Sequence, residues 1–250
     1  MFQDFLKYQA QTSPYPLGLE VSYAKGSYIY DTQNNKYLDF VAGVSACSLG
    51  HQHPRVNQAI KDQLDKYSHV MVYGEYAQNP AVEFCKLLVE HLPEPLNKVY
   101  LVNSGTEATE GALKLARRVT GRSQLISCHN AYHGNTMGAL SAGGNKMRRA
   151  QFASLLIEMT HIDPCYEYRY RQDGETEEAF GLRMANLLEA EILKQGAENV
   201  AAFVAEPVVG ATLGCVTAAK GYFKRIREIC DKYNVLLILD EVMCGMGRTG

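Results

Sequence analysis

The sequence predicts an α/β fold built on a parallel sheet, and three features carry that prediction. From residue 80 onward, helical and extended patterns alternate along the chain. The run Val235-Leu236-Leu237-Ile238-Leu239 is continuously apolar, the pattern of a strand buried on both faces of a parallel sheet. It ends in Asp240, Glu241 and a glycine-rich loop, and open α/β sheets bind ligands beyond the carboxyl ends of their strands.

Residues 1–25 are polar and broken by Pro14, Pro16 and Gly18, an entry segment with a short helix at best. Residues 26–31 and 36–40 are β-prone runs joined by an Asn-rich turn, a hairpin signal. Small residues ending in Pro54 make 42–54 a loop. Apolar positions at helical spacing predict helices over 56–67 (Val56, Ala59, Ile60, Leu64) and 80–91 (Ala81, Phe84, Leu87, Leu88). A strand at 99–102, a helix at 106–119, a strand at 124–128, a helix near 135–141 and a strand at 155–160 follow. Residues 161–177, polar and rich in Tyr and Arg, read as a surface excursion, with Arg169 and Arg171 in a solvated loop. A long helix over 178–195, a strand at 201–205, a helix over 221–233 and the strand at 235–239 complete the alternation.

Of the 250 residues, 46% are hydrophobic and 21% charged, as in soluble globular proteins, and the length suits one large or two modest domains. A net charge of -2 argues against a nucleic-acid surface. No apolar run approaches the roughly 18 residues of a membrane span. The first residues lack a basic stretch followed by an apolar core, so no signal peptide is expected. The seven cysteines are odd in number, scattered and without a CxxC pair, which suits reduced thiols in the cytoplasm better than a disulfide or zinc framework. His51-x-His53 has no third ligand at a clear partner spacing, so a packed loop is expected there and no metal.

Three loops carry candidate chemistry. Asn103-Ser104-Gly105-Thr106-Glu107 opens a helix, where free N–H groups and the positive dipole end receive phosphate. Ser104-x-x-Glu107 is also a capping box, and one turn can serve both purposes. Tyr132-His133-Gly134 follows a strand, where an aromatic either stacks on a planar ring or packs in the fold. Glu206, before Pro207, could orient a substrate group or pair with an arginine, or lie in a solvated turn. With Asp240 they place a cradle, an aromatic and two carboxylates at the carboxyl ends of four strands, the pocket logic of an α/β enzyme.

Ser104-Gly-Thr-Glu-Ala-x-Glu-Gly-Ala-Leu-Lys114, Tyr132-His-Gly-Asn-Thr136, Glu206-Pro-Val-Val-Gly210 and Asp240-Glu-Val…Gly247-Arg-Thr-Gly250, with Leu49-Gly-His-x-His-Pro54, resemble the class III aminotransferases over residues 26–250. The resemblance implies fold type I with helices on both sheet faces. It makes residues 1–55 part of a small domain and 56–250 a pyridoxal-phosphate-binding large domain, incomplete at its carboxyl end. It also implies a homodimer and two small-molecule substrates, an amino donor and a 2-oxo acid acceptor. Ser104, Gly105 and Thr106 then look like the phosphate cradle and Tyr132 like the stacking aromatic, with His133 beside it. Asp240 looks like the partner of the ring nitrogen, Val242 packs on the opposite ring face, and Glu206 looks like the glutamate that manages a substrate-side arginine.

One departure matters. The family's Schiff-base lysine falls beyond the Asp-Glu-Val strand, and no lysine follows Lys232 here. Lys220 and Lys232 have no family match. The expectation is an amino-terminal portion of a transaminase, inactive by itself, with an exposed sheet edge and poor solubility. An aminomutase or racemase of the same fold and a non-catalytic cofactor-binding protein are the alternatives. An anion at Asp240 favours a protonated ring nitrogen. Asp240→Ala is therefore expected to retain some cofactor binding yet lose most turnover, and near-normal turnover in a steady-state assay would contradict the assignment.

Overall fold

The computed structural model describes residues 1–71 and 74–249. The chain forms two compact units, Met1–Tyr100 and Leu101–Gly250.

In the first unit, α1 (Phe2–Tyr8) precedes an antiparallel sheet of β1 (Val21–Lys25), β2 (Tyr28–Asp31) and β3 (Lys36–Leu38), in the order β1-β2-β3. The expected hairpin is β2–β3. Its turn is held by Asp31, whose Oδ1 accepts from the Gln33 and Asn35 N–H groups at 2.9 and 2.8 Å. Strand β1, inside the segment expected to be a polar entry, pairs with β2 and stacks Tyr23 on Tyr30 with centroids 4.4 Å apart. The loop after β3 begins with α2 (Ala42–Ser45), one turn with left-handed φ at all four residues, and reaches His51. His51 exchanges backbone hydrogen bonds with Gly26, and its Nε2 lies 2.8 Å from Asp39 Oδ2, so the loop histidine is a tie within the fold. Helices α3 (Pro54–Leu64) and α4 (Asn79–Glu90) complete this unit.

The second unit is the α/β body. Its parallel sheet has the order β5-β4-β6-β9, from β4 (Gln124–Cys128), β5 (Thr160–Ile162), β6 (Val200–Ala205) and β9 (Leu236–Leu239). Every residue of β6 is buried, because helices cover both faces. On one face α9 (Glu177–Gln195) and α10 (Tyr222–Tyr233) pack Phe180, Met184, Leu188, Ile226 and Ile229 onto Ile126 and Phe203. On the other, α5 (Gly105–Thr120) and α6 (Met137–Ala142) bring Leu113, Ala116 and Ala142 onto Leu125, Ala202 and Val204. Short helices α7 (Lys146–Ala150) and α8 (Glu167–Tyr170) and the two-residue strands β7 (Val208–Val209) and β8 (Val216–Thr217) lie in the connections.

Three expectations need correction. Residues 99–102 form no strand, and Tyr100 is 85% exposed. A β-prone run becomes a strand only where a neighbour receives its backbone groups. The strand placed at 155–160 is β5, shifted to Thr160–Ile162 behind a 3₁₀ turn at Ala153–Leu155. The run 235–239 is not buried on both faces, since Leu236 and Leu239 are 36% and 42% exposed. Among the described residues β9 is an edge strand, and an edge leaves one flank of its side chains uncovered.

Helix α6 is too short to persist through its own hydrogen bonds and is clasped at both ends. Glu110 Oε1 accepts from the N–H groups of Gly138 and Ala139 at 2.8 and 3.2 Å. The Arg149 guanidinium donates to the carbonyls of Leu140, Ser141 and Gly143, and His161 Nε2 sits 3.1 Å from the Ala142 and Gly143 carbonyls. Burial, then the nearby Arg149 charge, hold the His161 pKa below its ordinary 6.5. The unfolded chain therefore binds this proton more readily, so the stability it contributes is complete above about pH 6.5 and is lost as pH falls toward the folded value. Urea midpoints between pH 7.5 and 5 should decline less steeply for His161→Gln than for the native chain, whereas parallel declines would contradict this role.

Candidate active site

Three neighbouring parallel strands end side by side, and each delivers a candidate residue. Beyond β4 the chain turns through Asn130 in a left-handed conformation (φ 62) and presents Tyr132 and His133. Beyond β6 comes Glu206, and beyond β9 comes Asp240, whose N–H continues the ladder to the Ala205 carbonyl at 2.9 Å. The fourth contribution, the turn from Ser104 to Thr106, opens α5 and follows no strand, which corrects the expectation of four strand ends.

Asp240 is held on both oxygens. Its Oδ1 accepts from the Val242 N–H at 3.1 Å, and Oδ2 lies 2.8 Å from His133 Nδ1. The His133 side chain is fully buried and its Nε2 is 3.3 Å from Ser127 Oγ. Glu206 clasps two loops, accepting from the Tyr132 N–H at 3.0 Å through Oε1 and from the Gly210 N–H at 2.9 Å through Oε2. Burial pushes its carboxyl pKa up, against the lowering effect of those two N–H donors.

The capping box at α5 forms with a one-residue offset. Ser104 Oγ accepts from the Glu107 N–H at 3.2 Å, while Glu107 Oε2 accepts from the Asn103 N–H at 2.6 Å. The N–H groups of Gly105 and Thr106 remain at the open end of the helix, where an anion is favoured. Thr106 Oγ1 accepts from the Asn135 N–H at 2.8 Å, tying the cradle to the Tyr132-His133-Gly134 loop. Two glycines make these approaches possible. A Cβ on Gly105 would stand 2.6 Å from Val242 Cγ2, and one on Gly134 (φ 131) would stand 1.7 Å from Thr106 Oγ1.

Tyr132 is 39% exposed, and the Arg148 guanidinium lies over its ring at 4.9 Å. Arg171 pairs with Glu167, and Arg169 lies over Tyr168, so the excursion's arginines stay in local contacts. Lys220 and Lys232 form surface ion pairs with Glu178 and Glu189 at 3.5 and 2.8 Å. Burial raises the Cys128 thiol to about 12, which leaves it protonated and poor as a nucleophile. An open groove of about 690 Å³ along α3 in the first unit is lined by none of the site residues.

Sequence reasoning missed Ser127 and Arg148, and gave Glu110 no role although it lies inside a quoted motif. A hydroxyl inside the buried strand Leu125-Ile126-Ser127-Cys128 was the available signal, because a buried polar side chain needs a partner. Nothing local marks Arg148.

These residues fit pyridoxal phosphate: the amino end of α5 with its N–H groups for the phosphate, a partly exposed aromatic residue, and a braced carboxylate for a cationic ring nitrogen. A family model described as aminotransferase class-III matches residues 8–250. An uncharacterised aminotransferase of Schizosaccharomyces pombe is 42% identical over 250 residues, covering 97% of this chain and 54% of that protein. One from Bacillus subtilis is 40% identical over 245 residues, covering 96% and 54%. The ω-transaminase of Pseudomonas jessenii, solved in complex with PMP, superposes with a TM-score of 0.92 at 31% identity, over 100% of this chain and 57% of that one. The chain belongs to the class III aminotransferase family. It spans about half the length of the curated relatives it matches. Among the described residues no helix is long and apolar enough to cross a membrane.

Gly134→Ala forces a Cβ into Thr106 and a strained φ, and should destabilise the fold by about 3 kcal/mol. Chemical denaturation measures this, and a loss under about 0.5 kcal/mol would contradict the tight loop–cradle contact.

Proposed function

We propose that the complete protein is a pyridoxal-phosphate-dependent aminotransferase that moves an amino group between an amino acid or ω-amine and a 2-oxo acid. The observation that carries this reading is Asp240, braced on both oxygens at the end of β9 beside the open amino end of α5. When bound, the cofactor supplies an electron sink for the substrate carbon that bears the amine. Ser104, Gly105 and Thr106 would hold its phosphate, and Tyr132 would stack on its ring. The Asp240 carboxylate would keep a proton on the ring nitrogen, because an opposite charge at hydrogen-bond distance favours the cationic form. Val242, which lies against Gly105, would pack on the other side of the ring. Glu206 fixes the Tyr132 and Gly210 loops and, in this reading, orients the substrate side of the pocket toward an arginine. A homodimer in the cytoplasm is part of the same proposal, supported by the family resemblance and the scattered free cysteines.

The test uses the polypeptide as purified from its native source. Stripped of cofactor and titrated with pyridoxal phosphate, it should bind one equivalent per chain with a change in visible absorbance. A panel of amines followed by 2-oxo acids should then yield stoichiometric amino transfer. Binding with isomerisation or racemisation but no net transfer would favour a mutase or racemase, and no binding would overturn the cofactor assignment.

A further inference from the structure

Ser127 occupies the fourth position of β4, between Ile126 and Cys128 of the core, and is 1% exposed. A hydroxyl buried in an apolar strand is unfavourable unless it is hydrogen-bonded. Its partner is His133 Nε2, 3.3 Å away. The opposite nitrogen, Nδ1, lies 2.8 Å from Asp240 Oδ2. An ionised carboxylate can only accept, so Nδ1 carries a proton. In the neutral ring Nε2 is then a bare acceptor, and the Ser127 O–H is the donor that reaches it. His133 is 2% exposed, so bulk water does not compete for that nitrogen.

We propose that Ser127 is a positioning residue for the reaction proposed above, acting through His133. By occupying Nε2, its hydroxyl stops the imidazole from turning toward another partner. The ring therefore keeps donating from Nδ1 to Asp240, and the carboxylate keeps one orientation. The chain Ser127–His133–Asp240 resembles a nucleophilic triad in composition, but a serine sealed in the core cannot reach a substrate. Its work is to brace the aspartate. This inference rests on the reading of Asp240 as the ring-nitrogen partner.

The experiment compares Ser127→Ala and Ser127→Thr with the native sequence in the complete polypeptide, labelled with ¹⁵N-histidine and studied at pH 8. His133→Gln assigns the resonances. In the native protein, His133 should show a protonated Nδ1 and an unprotonated, hydrogen-bonded Nε2. In Ser127→Ala the Nε2 resonance should move to the position of an unbonded nitrogen. The cofactor Kd should rise and kcat should fall, each roughly five- to tenfold, as expected for one buried acceptor left unpaired. Ser127→Thr retains the hydroxyl and should restore the resonance, Kd and kcat to within about twofold. An unmoved Nε2 resonance in the alanine variant, a protonated Nε2 in the native protein, or equal losses in both variants would overturn the proposal. Asp240→Asn separates the two claims. If it keeps native cofactor affinity and turnover, the reading of the site fails. If it loses both while Ser127→Ala does not, only the role of Ser127 fails.

Discussion

The 2.8 Å contact between His133 and Asp240 ties the loop beyond β4 to the end of β9, across the strand between them. The intervening strand contributes Glu206, which reaches back to the Tyr132 N–H, so three strand ends are laced by two contacts. Each lace sits where a parallel sheet presents its carboxyl ends, the place where such folds collect ligands. Removing either would leave a buried charge or a loop without its anchor, so the geometry of the candidate site and the order of these loops are one problem.

Charge is arranged in the same economy of parts. The amino end of α5 offers donors and the positive end of a helix dipole, and the end of β9 offers an anion whose lone pairs are partly occupied. A ligand carrying phosphate at one end and a cationic nitrogen at the other matches that polarity. The two carboxylates differ. Asp240 has an imidazole against it, whereas Glu206 is held by backbone donors in a buried setting that pushes its pKa up.

Much of this was legible in the sequence, wherever local pattern and tertiary demand agreed. Helix α5 could be placed because Ser104-x-x-Glu107 is a capping box that opens a strongly helical run, and Ser104 does cap it. Strand β6 could be placed because it is apolar throughout, as a strand covered on both faces must be. Tyr132, Glu206 and Asp240 stand out in the sequence because each follows an apolar run at a strand's carboxyl end. What could not be seen depends on partners far along the chain. Residues 99–102 have strand composition without strand pairing, and β1 exists because β2 receives it. The clasp on α6 joins Glu110 to Gly138 and His161 to Ala142, and neither contact follows from local spacing. Ser127 was hidden for the opposite reason, as a small polar residue inside a run that already made sense as core.

The most direct measurement is a crystal structure of the native polypeptide with pyridoxal phosphate bound. The phosphate should lie against the N–H groups of Gly105 and Thr106, with the ring on Tyr132 and its nitrogen within about 3 Å of an Asp240 oxygen. Phosphate bound elsewhere, or a ring nitrogen facing any group other than Asp240, would contradict the central claim that the braced carboxylate at the end of β9 is there to meet a positive charge.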